Sequence, residues 1–469
     1  MANGKMLPNM GRRGFFGMAA ADGACGLSGC VGAGAPAVTS CRSPNGKLRF
    51  GSIGCGAQGS SDIASTATHR RIEMAAFCDV DRLKLDKWRA KFPKARFYQN
   101  WREMLDSEQL DAVLVATPDH QHCEIMSEVL RRKFNLYGEK PLCRSFEECR
   151  QLESLAASSG VVTQLGTQIA AWECDRHTAE LLRKGAIGKV NKVWLFSNSG
   201  YYAKLLPRKW PLTPAPVPDT LDWKGWLGPA PFRPYVPKHY HSFVWRVWRD
   251  FGSGWLGDMG SHLFSPVWLG MGLGRTEPLS ARANVFDCGW SAEMKRQFLP
   301  LYSHVTWQFP GVPATDMKPF EVEWCDGPSG GAVPKEFLPP GKTEEIAGKK
   351  ADVSGLTAEY LPPARFREMA AKTPLGELPV QGRVVEGTDG WLISTHFNKP
   401  PVTLTKDGKP KPLALPFLEP VPSHYHEFVD CCLDGGKARS DFGWTTKLTD
   451  WLLLGRKAID NPGQEVRIA

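Results

Sequence analysis

The sequence predicts an α/β chain whose first folded part is a doubly wound parallel sheet. Three observations predict it. Short apolar strands alternate with helical stretches between Leu48 and Leu165, at the spacing that crossover-connected strands require. The first strand runs straight into a glycine-rich turn, Gly54-Cys55-Gly56-Ala57-Gln58-Gly59. A carboxylate, Asp79, closes the second strand 25 residues after Gly54.

Each element has its own warrant. Residues 48–53 form an apolar strand and 61–68 a helix, so the glycines sit between a strand and a helix. In that setting Gly54 allows the tight turn, Gly56 lets the backbone approach a pyrophosphate, and Gly59 permits close helix–strand contact. The helix N-terminus then turns free N–H groups towards the phosphates. Strand 72–78 ends in Asp79, placed to hydrogen-bond ribose hydroxyls and to repel a 2′-phosphate; this favours NAD over NADP, although Arg82 nearby could blunt the preference. Asp79 as a plain strand-end turn residue is the alternative. Helix 83–91, strand 111–116, Thr117-Pro118-Asp119 with a helix to Arg132, strand 134–137, helix 145–158 and strand 161–165 continue the alternation. Ligands of such sheets bind beyond the carboxyl ends of the strands, which aligns Gly54, Asp79, Thr117, Pro118 and Lys140 along one edge.

Length and composition set further bounds. The 469 residues are 42% hydrophobic and 23% charged, enough chain for two domains. Lys and Arg number 58 against 49 Asp and Glu, a net charge of +9 that is too dilute for a nucleic-acid-binding surface. No uninterrupted apolar run reaches about 18 residues, so no spanning helix is expected. Thirteen cysteines, an odd number without a CxxC pair, argue against a zinc ribbon or a complete disulfide framework. His239-Tyr240-His241 and His424-Tyr425-His426 have only superficial metal spacing, and Ser423 reads as a helix cap before the second; no metal site is expected.

Residues 1–46 read as an export segment and stand outside the fold argument. Arg12-Arg13-Gly14-Phe15-Phe16 resembles a twin-arginine signal, followed by a weakly apolar, Ala- and Gly-rich stretch over 18–38. Leu27-Ser28-Gly29-Cys30 resembles a lipobox, in which Cys30 would carry the lipid of a periplasmic, surface-anchored protein. A disordered N-terminus with chance arginines is the alternative.

The second half, 169–469, supplies the chemistry. A helix over 173–184 and a strand to Asn198 precede Gly252-Ser253-Gly254-Trp255-Leu256-Gly257-Asp258-Met259-Gly260-Ser261-His262 and an apolar helix over 263–269. Asp258 and His262 are four apart and share a helix face, where a carboxylate can hold an imidazole in the tautomer that accepts an alcohol proton. A helix-start cap beside an unrelated histidine is the alternative. Trp245, Arg246, Trp248 and Arg249, just before this helix, are candidates for a substrate wall, since aromatic faces stack on sugar rings. Stretches 327–350 and 399–422 read as surface insertions, and 424–460 as two helices.

With the glycine turn, Glu139-Lys140-Pro141 and Gly257-Asp258-Met259-Gly260-Ser261-His262 in this order, the chain resembles the glucose–fructose oxidoreductase, inositol dehydrogenase and MocA (Gfo/Idh/MocA) family over nearly its whole length after Lys47. The resemblance implies a Rossmann domain over 47–168 and an α/β domain with a large, open, mostly antiparallel sheet over 169–469, often an oligomer interface. It implies a cofactor-binding set of Gly54, Cys55, Gly56, Ala57, Gln58, Gly59, Asp79, Thr117, Pro118, His122, Glu139 and Lys140. Lys140 would also stabilise alkoxide character, His262 would be the acid or base, and Asp258 would orient substrate or base. The family's further Asp three residues after the histidine is replaced here by Ser265.

The expected partner is a small carbohydrate, with Trp245, Arg246, Trp248, Tyr201 and Tyr202 as its contacts. If the chain is exported, released NADH could not be recycled, so a tightly held NAD regenerated in each turnover is expected: glycoside hydrolysis, epimerisation or paired sugar redox. Hydrolysis by transient oxidation also needs a second base, for which Tyr201, Tyr202 and His241 are candidates. An ordinary NAD-dependent sugar or cyclitol dehydrogenase, and a non-catalytic surface carbohydrate-binding protein, are the competing readings.

Overall fold

Strands β1 (Leu48–Ile53), β2 (Ile72–Cys78), β4 (Ala112–Val115), β5 (Asn135–Gly138) and β6 (Thr163–Leu165) are buried along nearly their whole length, and only the short β3 (Arg96–Tyr98) is half exposed. Burial on both faces demands helices on both faces; these are α1 (Ala57–Thr66), α2 (Asp86–Lys91), α3 (Trp101–Ser107), α4 (His122–Arg131) and α5 (Phe146–Ser159). All the pairings are parallel, in the order β3-β2-β1-β4-β5-β6. The strand order reverses between β1 and β4, and the crevice beyond their carboxyl ends is where such sheets bind ligands. The computed structural model describes residues 46–199, 201–207, 210–241, 243–274, 276–286, 290–327, 358–397 and 399–468, all within one unit, Pro36–Ala469. The export reading and Cys30 lie outside the described residues, as does the stretch 328–350.

β1 and β2 match the sequence expectation residue for residue. Helix α1 starts four residues before the expected 61, because the glycine turn itself opens the helix. The expected helix over 83–91 divides into a 3-10 turn, Arg82–Lys84, and α2. β3 and α3 escaped the sequence reading; three half-exposed residues carry no apolar run.

The second part contains α6 (Glu173–Arg183), β7 (Val190–Ser197), α7 (Trp223–Leu227), α8 (Gly254–Met271), β8 (Ser280–Val285), β9 (Ser303–Phe309), β10 (Phe320–Asp326), β11 (Gln381–Gly387), β12 (Trp391–Thr395), β13 (Val402–Leu404), β14 (Pro410–Lys411) and β15 (Glu465–Val466). The nine strands run β14-β13-β12-β11-β7-β10-β9-β8-β15, with every pair antiparallel except β7 and β10. The open, mostly antiparallel sheet is thus as expected. The stretch 399–422, read as a surface insertion, in part forms the sheet's edge as β13 and β14. Strands of three and two residues are too short to show alternation, and Pro410 is at home only on an edge.

Helix α8 covers this sheet. Leu256, Leu263, Phe264 and Trp268 pack with Trp307, Trp324 and Trp451 in one buried cluster. Helix His424–Asp434, capped by Ser423 as expected, returns to the first sheet and buries Phe428, Val429 and Cys432 with Phe50 and Ile63. No described helix is long and apolar enough to cross a membrane.

Candidate active site

A cleft of about 1060 Å³, mouth included, opens at the carboxyl ends of β1, β2 and β4. It is lined by Gly54, Gly56, Ala57, Gln58, Asp79, Thr117, Pro118, Glu139 and Lys140 from the first domain, and by Trp226, His241, Trp245 and Arg246 from the second. Most of the cofactor set read from the sequence therefore meets in one place.

The glycine turn has the shape of a phosphate cradle. Gly54 has φ +88°, and a Cβ there would sit 2.4 Å from the Ala116 carbonyl oxygen; a Cβ on Gly59 would sit 2.1 Å from the Gly54 oxygen. Neither position admits another residue without moving backbone. Gly56 is different: its Cβ direction meets only the Lys84 side chain, at 3.5 Å. The peptide there is open to the cleft, and α1 starts at Gly56 without a side-chain cap, leaving its first N–H groups for an anion. Thr117 Oγ1 is buried without a hydrogen-bond partner. At the far end Asp79 accepts the Cys55 N–H at 2.8 Å and the Asp81 N–H at 2.9 Å. Burial pushes its carboxyl up to about 6, against the pull of those two bonds. These features fit a dinucleotide: N–H groups for its pyrophosphate and a carboxylate for its ribose diol.

Under the cradle lie two further acids. Glu139 is buried, and burial together with Asp62 pushes its carboxyl well up. Asp62, raised to about 6 by burial, accepts from Tyr425 Oη at 2.8 Å and Gln58 Nε2 at 2.7 Å. Gln168 donates to Glu139. This network ties the loop, the end of β5 and the returning helix together.

The other end of the candidate site is built where β5 meets α8. Lys140 Nζ donates to Asp258 Oδ1 at 2.6 Å and to the Asp258 carbonyl at 2.9 Å, across 118 residues of chain. Arg246 Nε approaches Asp258 Oδ1 to 3.5 Å, and its guanidinium lies over the rings of Phe243 and Trp245 at 3.8 and 4.2 Å. Burial would raise the Asp258 carboxyl, but Lys140 and Arg246 outweigh it and hold it below the usual carboxylate range. One helical turn on, His262 is 6% exposed. Burial first, then Lys140 and the neighbouring His396, His424 and Arg383, keep its imidazole well below its ordinary pKa. It is therefore a neutral ring at neutral pH.

Several expectations need correction. Asp258 does not hold His262, because Lys140 and Arg246 take its carboxylate. Cys55 contributes only its backbone; its thiol is buried and donates to the Cys78 carbonyl at 3.4 Å. His122 does not line the cleft but lies 2.8 and 2.7 Å from the carbonyls of Thr117 and Pro141, bracing both. Trp248 is core, 1% exposed, with Nε1 donating to the His239 carbonyl. Tyr202 is buried with its hydroxyl on the Arg246 carbonyl, while Tyr201 is surface-exposed and edge-on to Phe243. Neither tyrosine lines the cleft; nor do Asp258 and His262, which are joined to it through the bond from the cleft-lining Lys140 to Asp258. Arg249 pairs with Asp460, and Ser265 donates to the Ser261 carbonyl within α8. Arg82 turns to the Asp219 carbonyl; the cation beside the Asp79 end of the cleft is Lys84, 3.9 Å from Asp81. Lys84, Gln99, Trp101 and Gln121 line the cleft without having been foreseen, since no motif marks a lining side chain brought in by a turn or a helix start.

A parallel sheet in this order, with a glycine cradle at its switch point and a lysine reaching into the helix of a second, open sheet, defines a two-domain dinucleotide-binding oxidoreductase architecture. The chain belongs to the Gfo/Idh/MocA family: residues 48–167 match its NAD-binding Rossmann-fold domain and residues 175–289 its C-terminal alpha/beta domain, together about half of the chain. A 2,7-anhydro-N-acetylneuraminate hydratase of Mediterraneibacter gnavus is 30% identical over 83 residues, 18% of this chain and 22% of its own. An alpha-N-acetylgalactosaminidase of Shewanella oneidensis is 24% identical over 152 residues, 30% of this chain and 33% of its own. The chain thus spans about a third or less of the length of these two relatives. The WlbA dehydrogenase of Bordetella pertussis, solved with NADH and UDP-GlcNAcA, has the same fold, with a TM-score of 0.59 and 14% identity over 90% of this chain and 99% of that one.

Proposed function

We propose that this protein is an oxidoreductase of carbohydrate hydroxyls that keeps one NAD bound and regenerates it within each turnover, with glycoside hydrolysis, epimerisation or paired sugar redox as the net reaction. The observation that carries the reading is the Lys140–Asp258 contact, which brings the dinucleotide cleft to the helix bearing His262. Bound in the cleft, a nicotinamide ring supplies an acceptor and donor of a hydrogen with its electron pair. The chain's own residues do the rest. His262 takes the hydroxyl proton. The Lys140 ammonium, aimed by Asp258, offsets negative charge gathering on that oxygen. Trp245 and Arg246 form the wall against which a sugar rests. Asp79 favours NAD, because a 2′-phosphate beside it would meet like charge.

Retention of the cofactor is favoured by what the relatives are called. Hydration and glycoside hydrolysis leave the substrate's oxidation state unchanged, so a dinucleotide-binding protein performing either must return the electrons it takes. The twin-arginine pattern of residues 12–16 favours export in folded form with cofactor aboard, with Cys30 as the lipidated residue and the open sheet as a contact between copies. The test is direct. Denaturing the purified protein should release a stoichiometric nucleotide whose mass is that of NAD. Turnover of p-nitrophenyl N-acetyl-α-D-galactosaminide should then persist without added NAD. Strict dependence on added cofactor would favour an ordinary sugar dehydrogenase, and an absence of nucleotide would sink the assignment. For export, replacing Arg12 and Arg13 by Lys should trap the protein inside the cell on fractionation.

A further inference from the structure

We propose that His396 is the second acid–base residue of this site, taking a proton from the substrate carbon next to the one whose hydroxyl His262 serves. The inference rests on the reading above, since only chemistry at two neighbouring atoms needs a second base. Of the three residues that the sequence offered for this role, Tyr202 is locked in the core. Tyr201 lies on the surface against Phe243, and His241 stands at the ribose end, 3.5 Å from Asp81.

His396 follows β12 directly and is brought in by tertiary structure alone. Its ring centroid lies 5.4 Å from that of His262, with the planes tilted by 44°. It is 5% exposed, and Nδ1 of both rings is buried without a partner. Two adjacent imidazoles with unpaired buried nitrogens carry an uncompensated desolvation penalty; a ligand bearing neighbouring polar groups would relieve it. The charged groups bearing on the ring come from three elements: Lys140 at the end of β5, Asp258 on α8 and Arg383 on β11. Burial, Arg383 and Lys140 hold its pKa down to about 3, only partly opposed by Asp258, so the ring is a free base at neutral pH. The low value makes it a weak base in the resting site; negative charge developing on the substrate oxygen counters this.

The proton transfer closes without further reagents once the substrate carries a ketone. A C–H bond on the carbon beside the carbonyl breaks. The proton goes to the imidazole of His396, and the electron pair becomes the carbon–carbon double bond of an enolate whose oxygen faces the Lys140 ammonium. In the reverse direction the imidazolium returns a proton to that carbon. In the forward direction the enolate electrons reform the carbonyl and expel the oxygen substituent one carbon further on, which leaves as an alkoxide and takes its proton from water.

A ketone probe isolates this step from any redox event. The protein is incubated in D2O with the 3-keto derivatives of methyl α-D-glucopyranoside and methyl N-acetyl-α-D-galactosaminide, and deuterium entering the carbon beside the carbonyl is followed by NMR. Wild type should exchange this position. His396→Asn and His396→Gln should each lose about 10²-fold or more in the exchange rate, with bound nucleotide and melting temperature preserved. Loss in His396→Gln alone, with its fold intact, is sufficient support should the Asn variant be unstable. Exchange that survives in either folded variant, or that wild type does not catalyse, overturns the assignment. Nucleotide content and the assay without added NAD report separately on the function proposed above, so the two can fail independently.

Discussion

Lys140 shows how one side chain acquires a task from its surroundings. A lysine at a strand end would ordinarily extend its ammonium into water. Here two acceptors on one residue of α8 fix it at 2.6 and 2.9 Å, so its charge is already in place for the oxygen that the proposed reaction makes negative. Replacing it by Met should lower kcat by about 10²–10³-fold, the usual effect of deleting one preorganised donor, while the protein still releases nucleotide on denaturation; steady-state kinetics with the nucleotide assay checks this. A Lys140→Met protein with unchanged kcat would remove the residue from the chemistry.

Helix α8 is the element that joins the domains' chemistry, and it is pinned along its length. Trp255 Nε1 donates to Ser197 Oγ at 2.7 Å, anchoring the first turn to the end of β7. Further on, the wholly buried Arg383 of β11 pairs with Asp175 of α6 at 2.7 Å and donates to the carbonyls of Leu263 and His262 at 3.1 and 3.4 Å. The ion pair thus fixes the backbone of α8 at Leu263 and His262. Arg383→Met leaves Asp175 buried and alone, which should cost about 3–5 kcal/mol. Urea denaturation reads that loss, and a variant within 1 kcal/mol of wild type would contradict it.

At the scale of the molecule, burial of imidazoles contributes to the response to acid. His120, His396 and His424 each drop from 6.5 to about 3, chiefly through burial. The unfolded chain therefore binds protons between these values that the folded chain does not. Their contribution is fully present above pH 6.5 and is lost as pH falls towards 3. Buried carboxylates such as Asp62 and Asp79, raised to about 6, act in the opposite sense over part of that window, so the histidine share is read by difference: the melting temperature of His120→Gln should fall less than that of wild type between pH 6.5 and 3. An unchanged slope in a folded variant would show that another group controls it.

The local order of the chain was enough to specify the nucleotide half. Apolar runs delimited β1 and β2, the glycine spacing located the cradle, and Asp79 and Lys140 were legible because each ends a strand at the sheet's binding edge. These are contacts within one supersecondary unit, whose geometry follows from short-range stereochemistry. The reacting half was decided by tertiary structure. Asp258 belongs to Lys140 rather than to His262, because folding brings an ammonium closer to it than its own helix can bring an imidazole. Trp248 and Tyr202 look like sugar-binding residues in one dimension and are core in three, since burial depends on which surfaces meet. His396 sits at the end of a strand 134 residues after His262, and only the tertiary fold brings the two rings together.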